Sequence, residues 1–578
     1  MKKSIKSLLA LLAVATTVAC AEYVPVETYA EADDPIALTA DQEAAWASVG
    51  KNMNVAWGDA DCRYSRSLVP QPAEAQTLKL TLWRGEKGQA QALIWTSEGV
   101  NGVECKFADF KSANATLPAS IAQSFFVRYT LADQVLPTNE KAVLMADMLD
   151  SIERFDIQAK STRPVWVTLD IPEDAEPGIY TSSLTISHAG WGKAVLPIEV
   201  EIVKHVLPSA KEWSYHLDLW QHPTAIARAE GVELWSDEHL AIAKRHMTML
   251  AEAGQKVITT NLNKDPWNHQ CYDAYEDMIK WTLKKDNTWS YDYKIFDRWV
   301  EMMLSTGIGR MINCYSMVPW NCELHYMDEA KGEMVTVKAE PNTPMFEKMW
   351  EPFLKDFKKH LEAKGWLSIT NIAMDERSPE QMDAAVKLLN KCAPEMGFAL
   401  ADNHKSYKKY TSMRDVCAYI GHDIVDHEDI VMRRAKNQST TFYVCCGPHF
   451  PNTFTWSQPF ESEMLGWLNV TYDYDGMLRW AYNSWPENPK YDSRFGQWPA
   501  GDTYFVYPGC YSSMRFERLI DGIESAEKVR RLRAAGVDIS EVEAVLTKIR
   551  KSNLLDYKEP WMEIIKEANE ALNAASRK

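Results

Sequence analysis

The chain has 578 residues, a formal charge of −17 and an apolar content of 46%, enough for two to four domains with sizeable cores. The acidic balance excludes a nucleic-acid partner, which would need a basic face. The 22 Trp and 24 Tyr residues mostly fill cores, but such an excess also suits stacking on the apolar faces of sugar rings.

Targeting signals come first. Lys2, Lys3 and Lys6 give a positive start, Leu8 to Val18 form an apolar stretch too short to span as a mature helix, and Val18-Ala19-Cys20 has the form of a bacterial lipobox. Residues 1–20 therefore read as a lipoprotein signal peptide with Cys20 the lipidated residue, and 21–35 as a tether. The expected location is the outer membrane, facing periplasm or cell surface, with membrane contact only through the lipid anchor. A Cys20→Ala variant should then move from the membrane to the soluble fraction, and a wild type already soluble after export would overturn the expectation. The ten cysteines after Cys20 form no Cys-x-x-Cys pair and read as mostly buried thiols, compatible with one or two disulfides. Cys445-Cys446 lie in an apolar run and read as core packing. The 13 histidines show no metal-ligand spacing, so neither metal nor cofactor is expected.

Residues 36–205 read as all-β. Runs at 78–83, 90–96, 124–131, 165–171, 180–187 and 194–203 are β-branched or aromatic, and Gly and Pro punctuate them, predicting a β-sandwich in a supporting role. After Pro208 the grammar alternates strand and helix over residues 206–534. Strands are expected at 214–221, 256–263, 310–319, 367–374, 398–401, 415–420, 440–446 and 476–482, with a last helix at 513–533. Eight such units point to an α/β fold with a (β/α)8 TIM barrel, and the Gly-rich phosphate loop that a doubly wound sheet more often shows after its first strand is not present. Residues 535–578 read as a helical segment packed on the barrel's outside.

The fourth strand is the one the site is expected to form around. It ends in Asp375-Glu376-Arg377, and Ser378-Pro379 then open a helix as N-cap and first helical residue. Asp-Glu also occurs at 237–238 and 328–329, so the pair gains meaning from its place at a strand's C-terminal end. The other strand ends offer His216, Asp218, Trp220, Asn261, Tyr315, Asp402, Tyr482, Asn483 and Trp485 as substrate-binding candidates. Carboxylates, amides and aromatics on one rim are the inventory of a sugar pocket. Glycosidic cleavage needs a proton donor for the leaving oxygen and a group that stabilises the oxocarbenium-like centre. Neighbouring residues on a regular strand point to opposite faces, so Asp375 and Glu376 can share a pocket only where the strand breaks. There Glu376 could protonate the leaving oxygen while Asp375 orients the substrate's own 2-acetamido group. A salt bridge of the pair to Arg377 is the competing structural reading.

The sequence resembles glycoside hydrolase family 123, on four segments: Asp375-Glu376, His216-Leu217-Asp218-Leu219-Trp220, Trp83-Arg84-Gly85-Glu86, and Tyr507-Pro508-Gly509 with Ser513-x-Arg515-x-Glu517-x-Leu519. The resemblance implies a β-N-acetylgalactosaminidase, a lipoprotein of Bacteroidetes type. Its partners would be glycans ending in β-GalNAc, as on glycosphingolipids, cleaved exo-fashion by substrate-assisted retaining catalysis through an oxazolinium intermediate. It carries Asp375 over as the acetamido-orienting residue and Glu376 as acid/base. Two alternatives stay open on the residues alone. One is a two-carboxylate glycosidase using Glu376 with Asp218 or Asp402, and the other is a non-catalytic glycan-binding lipoprotein.

Overall fold

The computed structural model describes residues 30–133, 142–189, 192–421 and 424–578. Cys20, with the rest of the expected signal peptide and most of the expected tether, lies outside the described residues. Residues 31 and 32, within the stretch expected to be a tether, are packed against the β-rich region. Glu31 accepts hydrogen bonds from the Arg163 guanidinium at 2.7 and 2.9 Å, and Ala32 is buried. Burial would raise the Glu31 carboxyl, yet Arg163 and Arg128 hold it below the usual carboxylate range.

The N-terminal β-rich region comprises two sheets over one apolar core. The first has the order 54–58, 87–96, 161–170, 122–133, 142–150, all antiparallel. The second runs 78–84, 193–206, 178–187, 100–107, 155–157. Val165 and Val167 of the first meet Leu184 and Val200 of the second in the shared core. Strands 54–58, 100–107, 142–150 and 155–157 lie where the sequence reading had no strand, because their apolar alternation is broken by Gly, Asn and Asp.

Eight parallel strands then form a nearly closed barrel. They are β1 (His216–Leu219), β2 (Val257–Asn261), β3 (Met311–Tyr315), β4 (Thr370–Asp375), β5 (Gly397–Asp402), β6 (Asp415–Tyr419), β7 (Ser439–Tyr443) and β8 (Gly476–Arg479). Ladders run continuously from β2 through β8 to β1. The β1–β2 seam is completed by other means. Lys256 N–H donates to the Leu217 carbonyl at 2.9 Å, and the Gln255 side chain accepts from Leu219 N–H at 2.9 Å. It also donates to the Val257 carbonyl at 2.7 Å. Every strand but β5 is followed by an α-helix before the next strand or the tail. After β5 there is only a single 3-10 turn, Ser406–Lys408.

The long segments after β2 and β3 pair into a four-stranded sheet of 280–283, 289–292, 323–328 and 333–338, where the sequence showed no strand. This sheet holds Asp328 of one spare Asp-Glu pair, while Asp237-Glu238 sit in the first turn of helix Asp237–Glu252, where the helix dipole favours them. The tail helices Ser540–Lys551 and Trp561–Ser576 pack on barrel helices Pro459–Tyr472 and Met514–Ala534.

Most of the segments that carry the family resemblance hold this assembly together. Trp83 donates to Ser576 of the tail at 2.8 Å, and Glu86 is ion-paired with Lys528 at 2.6 Å. Tyr507 and Arg515 converge on the buried Asp147 at 2.7 and 3.0 Å, and Glu517 meets Lys87 at 2.8 Å. Breaking such buried pairs leaves an uncompensated charge, so these segments lock the β-rich region to the barrel.

Candidate active site

β4 ends at Asp375, and Ser378 caps the helix Pro379–Cys392 with a full capping box, Gln381 answering it. Only Glu376 and Arg377 link the two. Glu376 makes the break by adopting φ +47°, a left-handed conformation that costs an L-residue about 1–2 kcal/mol. Its N–H still donates to the Ala401 carbonyl of β5 at 2.9 Å, so the turn happens while the chain is tied to the sheet. Asp375 and Glu376 therefore line one cavity of about 170 Å³. Backbone strain of this kind is concentrated at functional sites.

Each carboxylate is fixed separately. Asp375 Oδ2 accepts from the Trp267 and Trp320 indoles at 3.0 and 3.1 Å. Oδ1 has no protein donor among the described residues. Burial, then the neighbouring Glu376 carboxylate, pushes Asp375 up to about 7, against the pull of the two indoles and Arg377. Glu376 Oε1 accepts from the Tyr443 hydroxyl at 2.5 Å. Burial and the Glu376 charge keep that phenol well above its ordinary value, so it stays a donor. Arg377 acts behind the pair. Its Nε donates to the Asp375 carbonyl at 2.7 Å and its guanidinium lies 4.3 Å over the Trp320 ring.

The cavity walls are aromatic: Trp220, Trp320, Trp480 and Trp498 surround it. Ala401 of β5 lines it, and Ala373 of β4 and Ala399 of β5 belong to the apolar cluster beside it. Asp502 is the one further carboxylate in the lining. It is ion-paired to Arg479 at 2.7 Å and accepts from Trp480 at 3.2 Å, while burial pushes it up to about 6. Among the described residues no cluster of His, Cys, Asp or Glu could hold a metal ion.

The other candidates are placed unevenly. Trp220 lines the cavity, packed on Trp267 and Tyr315. Tyr315 lies in the layer beneath it and does not line the opening. His216 and Asp218 are below the rim, inside the barrel. His216 pairs with Asp415 at 3.5 Å, and Asn313 and Asn371 extend that contact into a polar layer. Burial and the Asp415 charge hold Asp218 well above the carboxylate range. Asn261 donates to the Glu276 carbonyl at 2.9 Å, ordering the loop after β2. Asp402 is consumed by its own turn, accepting from His404 N–H and from the Ser406 N–H and hydroxyl.

Three candidates are corrected by the end of β8. The strand stops at Arg479, so Trp480 occupies the rim and the chain has already turned down at Tyr482. Tyr482 donates to the His246 carbonyl and Trp485 to the Val506 carbonyl, both fully buried. Asn483 brackets His222, accepting its N–H at 2.9 Å and donating to its carbonyl at 3.0 Å. Asn483→Ala would orphan two buried backbone groups at about 1–3 kcal/mol each. It is expected to lower the thermal midpoint with little change in KM; a raised KM at an unchanged midpoint would instead mark a sugar contact.

Strand ends also explain what the sequence reading missed. β7 stops at Tyr443 instead of running to Cys446, which brings Tyr443 to the rim and puts Cys445 and Cys446 in the cavity wall rather than the core. All ten described cysteines are free thiols, where the sequence allowed one or two disulfides. Gln270, Trp267 and Trp498 come from long loops whose course no periodicity reveals.

Residues 220–532 match the model of the glycoside hydrolase 123 catalytic domain, and residues 57–188 that of the glycoside hydrolase 123 N-terminal domain. Among solved structures, a family 123 glycoside hydrolase from Clostridium perfringens, described for glycolipid glycan hydrolysis, is 25% identical. The match covers 90% of this chain and 97% of that one, at a TM-score of 0.83. A Bacteroides ovatus GH5 xyloglucanase in complex with a heptasaccharide is 10% identical over 82% of this chain and 100% of its own, and its TM-score of 0.28 supports no comparison. No curated protein matches the sequence significantly. With the catalytic-domain match spanning more than half of the chain, and with a carboxylate pair turned into one aromatic cavity at the end of β4, this protein belongs to glycoside hydrolase family 123 and is a glycoside hydrolase.

Proposed function

We propose that the protein is an exo-acting β-N-acetylgalactosaminidase, built on a (β/α)8 barrel whose fifth helix is reduced to a turn, that retains configuration through an oxazolinium intermediate. The observation that carries this reading is the left-handed Glu376, which sets two sequence neighbours into one small cavity. Two-carboxylate glycosidases place their groups on opposite sides of the scissile bond, about 5 Å or more apart. Asp375 and Glu376 suit a division of labour on one substrate instead. Asp375, with Oδ2 held by two indoles and Oδ1 without a donor among the described residues, is shaped to receive the N–H of a 2-acetamido group and support the charge that builds there. Glu376, held by Tyr443, protonates the leaving oxygen and then takes the proton from the attacking water. A cavity of about 170 Å³, below the usual 300–1,000 Å³ of ligand pockets, favours one terminal ring over an internal chain segment. The galacto preference rests on the family resemblance, and a glycolipid glycan as natural substrate on the likeness to the Clostridium perfringens enzyme.

Turnover of aryl β-GalNAc, β-GlcNAc and β-Gal, measured against pH, tests the proposal. Hydrolysis of the first, with little of the second and none of the third, is expected. The productive pair carries one proton, on Glu376, and Asp375 is raised to about 7 against an ionised Glu376, so kcat/KM should fall as pH rises through that region and the pair loses its shared proton. Trp320→Phe removes a donor to the ionised Asp375 and should move that limb to higher pH. Turnover of the β-galactoside at a comparable rate would reject the acetamido-dependent mechanism.

A further inference from the structure

Cys445 and Cys446 have no part in the chemistry above, yet they stand in the cavity wall beside the Glu376 carboxylate. Adjacent in sequence, their sulfurs are 3.8 Å apart. Both are half-buried, unlike the fully packed Cys314 and Cys417 inside the barrel. Their loop is firmly held. Asn452 donates to the Cys445 carbonyl at 2.8 Å, and Cys445 N–H closes a tight turn onto Gly447 at 2.9 Å. Strand β7 ends just before them with Tyr443, the donor to Glu376.

We propose that Cys445 and Cys446 are a modification site: a vicinal dithiol that a disulfide-class oxidant converts to a reversible intrachain disulfide, lowering turnover while it lasts. The two thiols are in hydrogen-bond contact, which lowers the Cys446 thiol from its ordinary value and, with burial, raises Cys445 well above it. Cys446 is thus the attacking sulfur. Its thiolate attacks one sulfur of an incoming disulfide RSSR and expels RS⁻, leaving a mixed disulfide. Cys445 then gives up its proton and attacks Cys446 Sγ, expelling the second RS⁻. The dithiol loses two electrons and two protons, and RSSR becomes two thiols RSH.

Reversibility follows from covalent geometry. Consecutive Cα atoms across a trans peptide are about 3.8 Å apart, shorter than the roughly 4.4–6.8 Å that relaxed disulfides span. The ring is strained, and strained disulfides are the easily reduced, regulatory ones rather than structural staples. Closing the ring must swing both sulfurs together and turn the 445–446 peptide. That peptide is anchored by Asn452 on one side and continues into Tyr443 on the other, so the Tyr443–Glu376 contact and the cavity wall shift with it.

The sequence makes the test direct, because the tryptic peptide 437–479 contains these two cysteines and no other. The full chain, freshly reduced, is treated with oxidised glutathione, and the peptide's mass and the rate on an activated aryl glycoside are followed together. The expected result is a peptide lighter by two hydrogens, with no glutathione retained, and a several-fold lower kcat/KM that dithiothreitol restores. Cys446→Ser, compared with its own reduced rate, should lose this sensitivity, whereas Cys445→Ser should stop at the mixed disulfide and retain one glutathione on the peptide. The mass readout does not depend on which glycoside is cleaved, so its failure is separable from failure of the proposed activity. A peptide of unchanged mass, a stable glutathione adduct, or an oxidised enzyme as fast as the reduced one would overturn the proposal.

Discussion

Glu376→Gln is expected to abolish most hydrolysis of natural glycans, by roughly 10²–10⁴-fold, the usual worth of a positioned general acid. The loss should shrink steeply along a series of aryl glycosides as the leaving group improves, because a good phenolate departs without a proton. The geometry fixes this expectation. Tyr443 holds Oε1, so the other oxygen of Glu376 is the one left to carry the proton into the cavity. The glutamine keeps the side chain's size and can still accept from Tyr443, so folding and binding should survive and KM should change little. After the first step the same residue must deprotonate water, and with activated substrates that second step becomes limiting. A burst of phenol followed by slow turnover is therefore expected for the variant. Losses of equal size across the whole leaving-group series would remove Glu376 from the acid role and leave it a binding residue.

How much of this could be read in advance depends on which rule each residue obeys. The barrel strands are buried on every side and read as short apolar runs, so their existence and order were legible, as was the charged tip of β4 with its Ser-Pro helix start. Strand ends were not. Tyr443 and Tyr482 both lie in runs that read as continuous strand, yet one ends β7 and the other lies past the end of β8. A shift of that size decides whether a side chain reaches the rim or is buried behind it, and apolar periodicity does not register it. Asp402 shows a second limit. Composition marks it as a rim carboxylate, but Ser406 competes for it locally, and an Asx-type turn takes both of its oxygens. Glu376 shows a third: a left-handed non-glycine residue has no sequence signature, and only the need for two neighbours to share a pocket hinted at it. The most specific-looking segments, around Trp83 and Arg515, turned out to clamp the two regions together. Their distance from the cavity is physically reasonable, since a buried ion-pair network tolerates little change in either partner.

The nucleophile separates the remaining enzymatic readings. If the substrate's acetamido oxygen attacks the anomeric carbon, no side chain becomes glycosylated, and charge grows on the acetamido nitrogen where Asp375 Oδ1 can meet it. That interaction is stronger in the transition state than in the ground state, so Asp375→Asn should lower kcat by orders of magnitude while KM moves little. Asparagine preserves the hydrogen bonds from Trp267 and Trp320 to Oδ2 if its carbonyl takes that place, which keeps the cavity intact and isolates the lost charge. A thiazoline mimic of the intermediate should bind far more tightly than the released sugar. Replacing N-acetyl by N-trifluoroacetyl should slow turnover sharply, because fluorine withdraws electrons from the attacking oxygen. A two-carboxylate enzyme predicts the opposite pattern: indifference to the N-acyl group, and a covalent adduct with a 2-deoxy-2-fluoro galactoside. Neither Asp218, buried inside the barrel away from the cavity lining, nor Asp402, bound in its turn, is placed to form that adduct. Asp502 is the carboxylate that shares the cavity, and freeing it would mean breaking its pair with Arg479. Intact mass showing a fluorosugar on the peptide carrying Asp502 would therefore sink the substrate-assisted reading, whereas an unlabelled protein that is slowed by trifluoroacetyl leaves the acetamido oxygen as the attacking group.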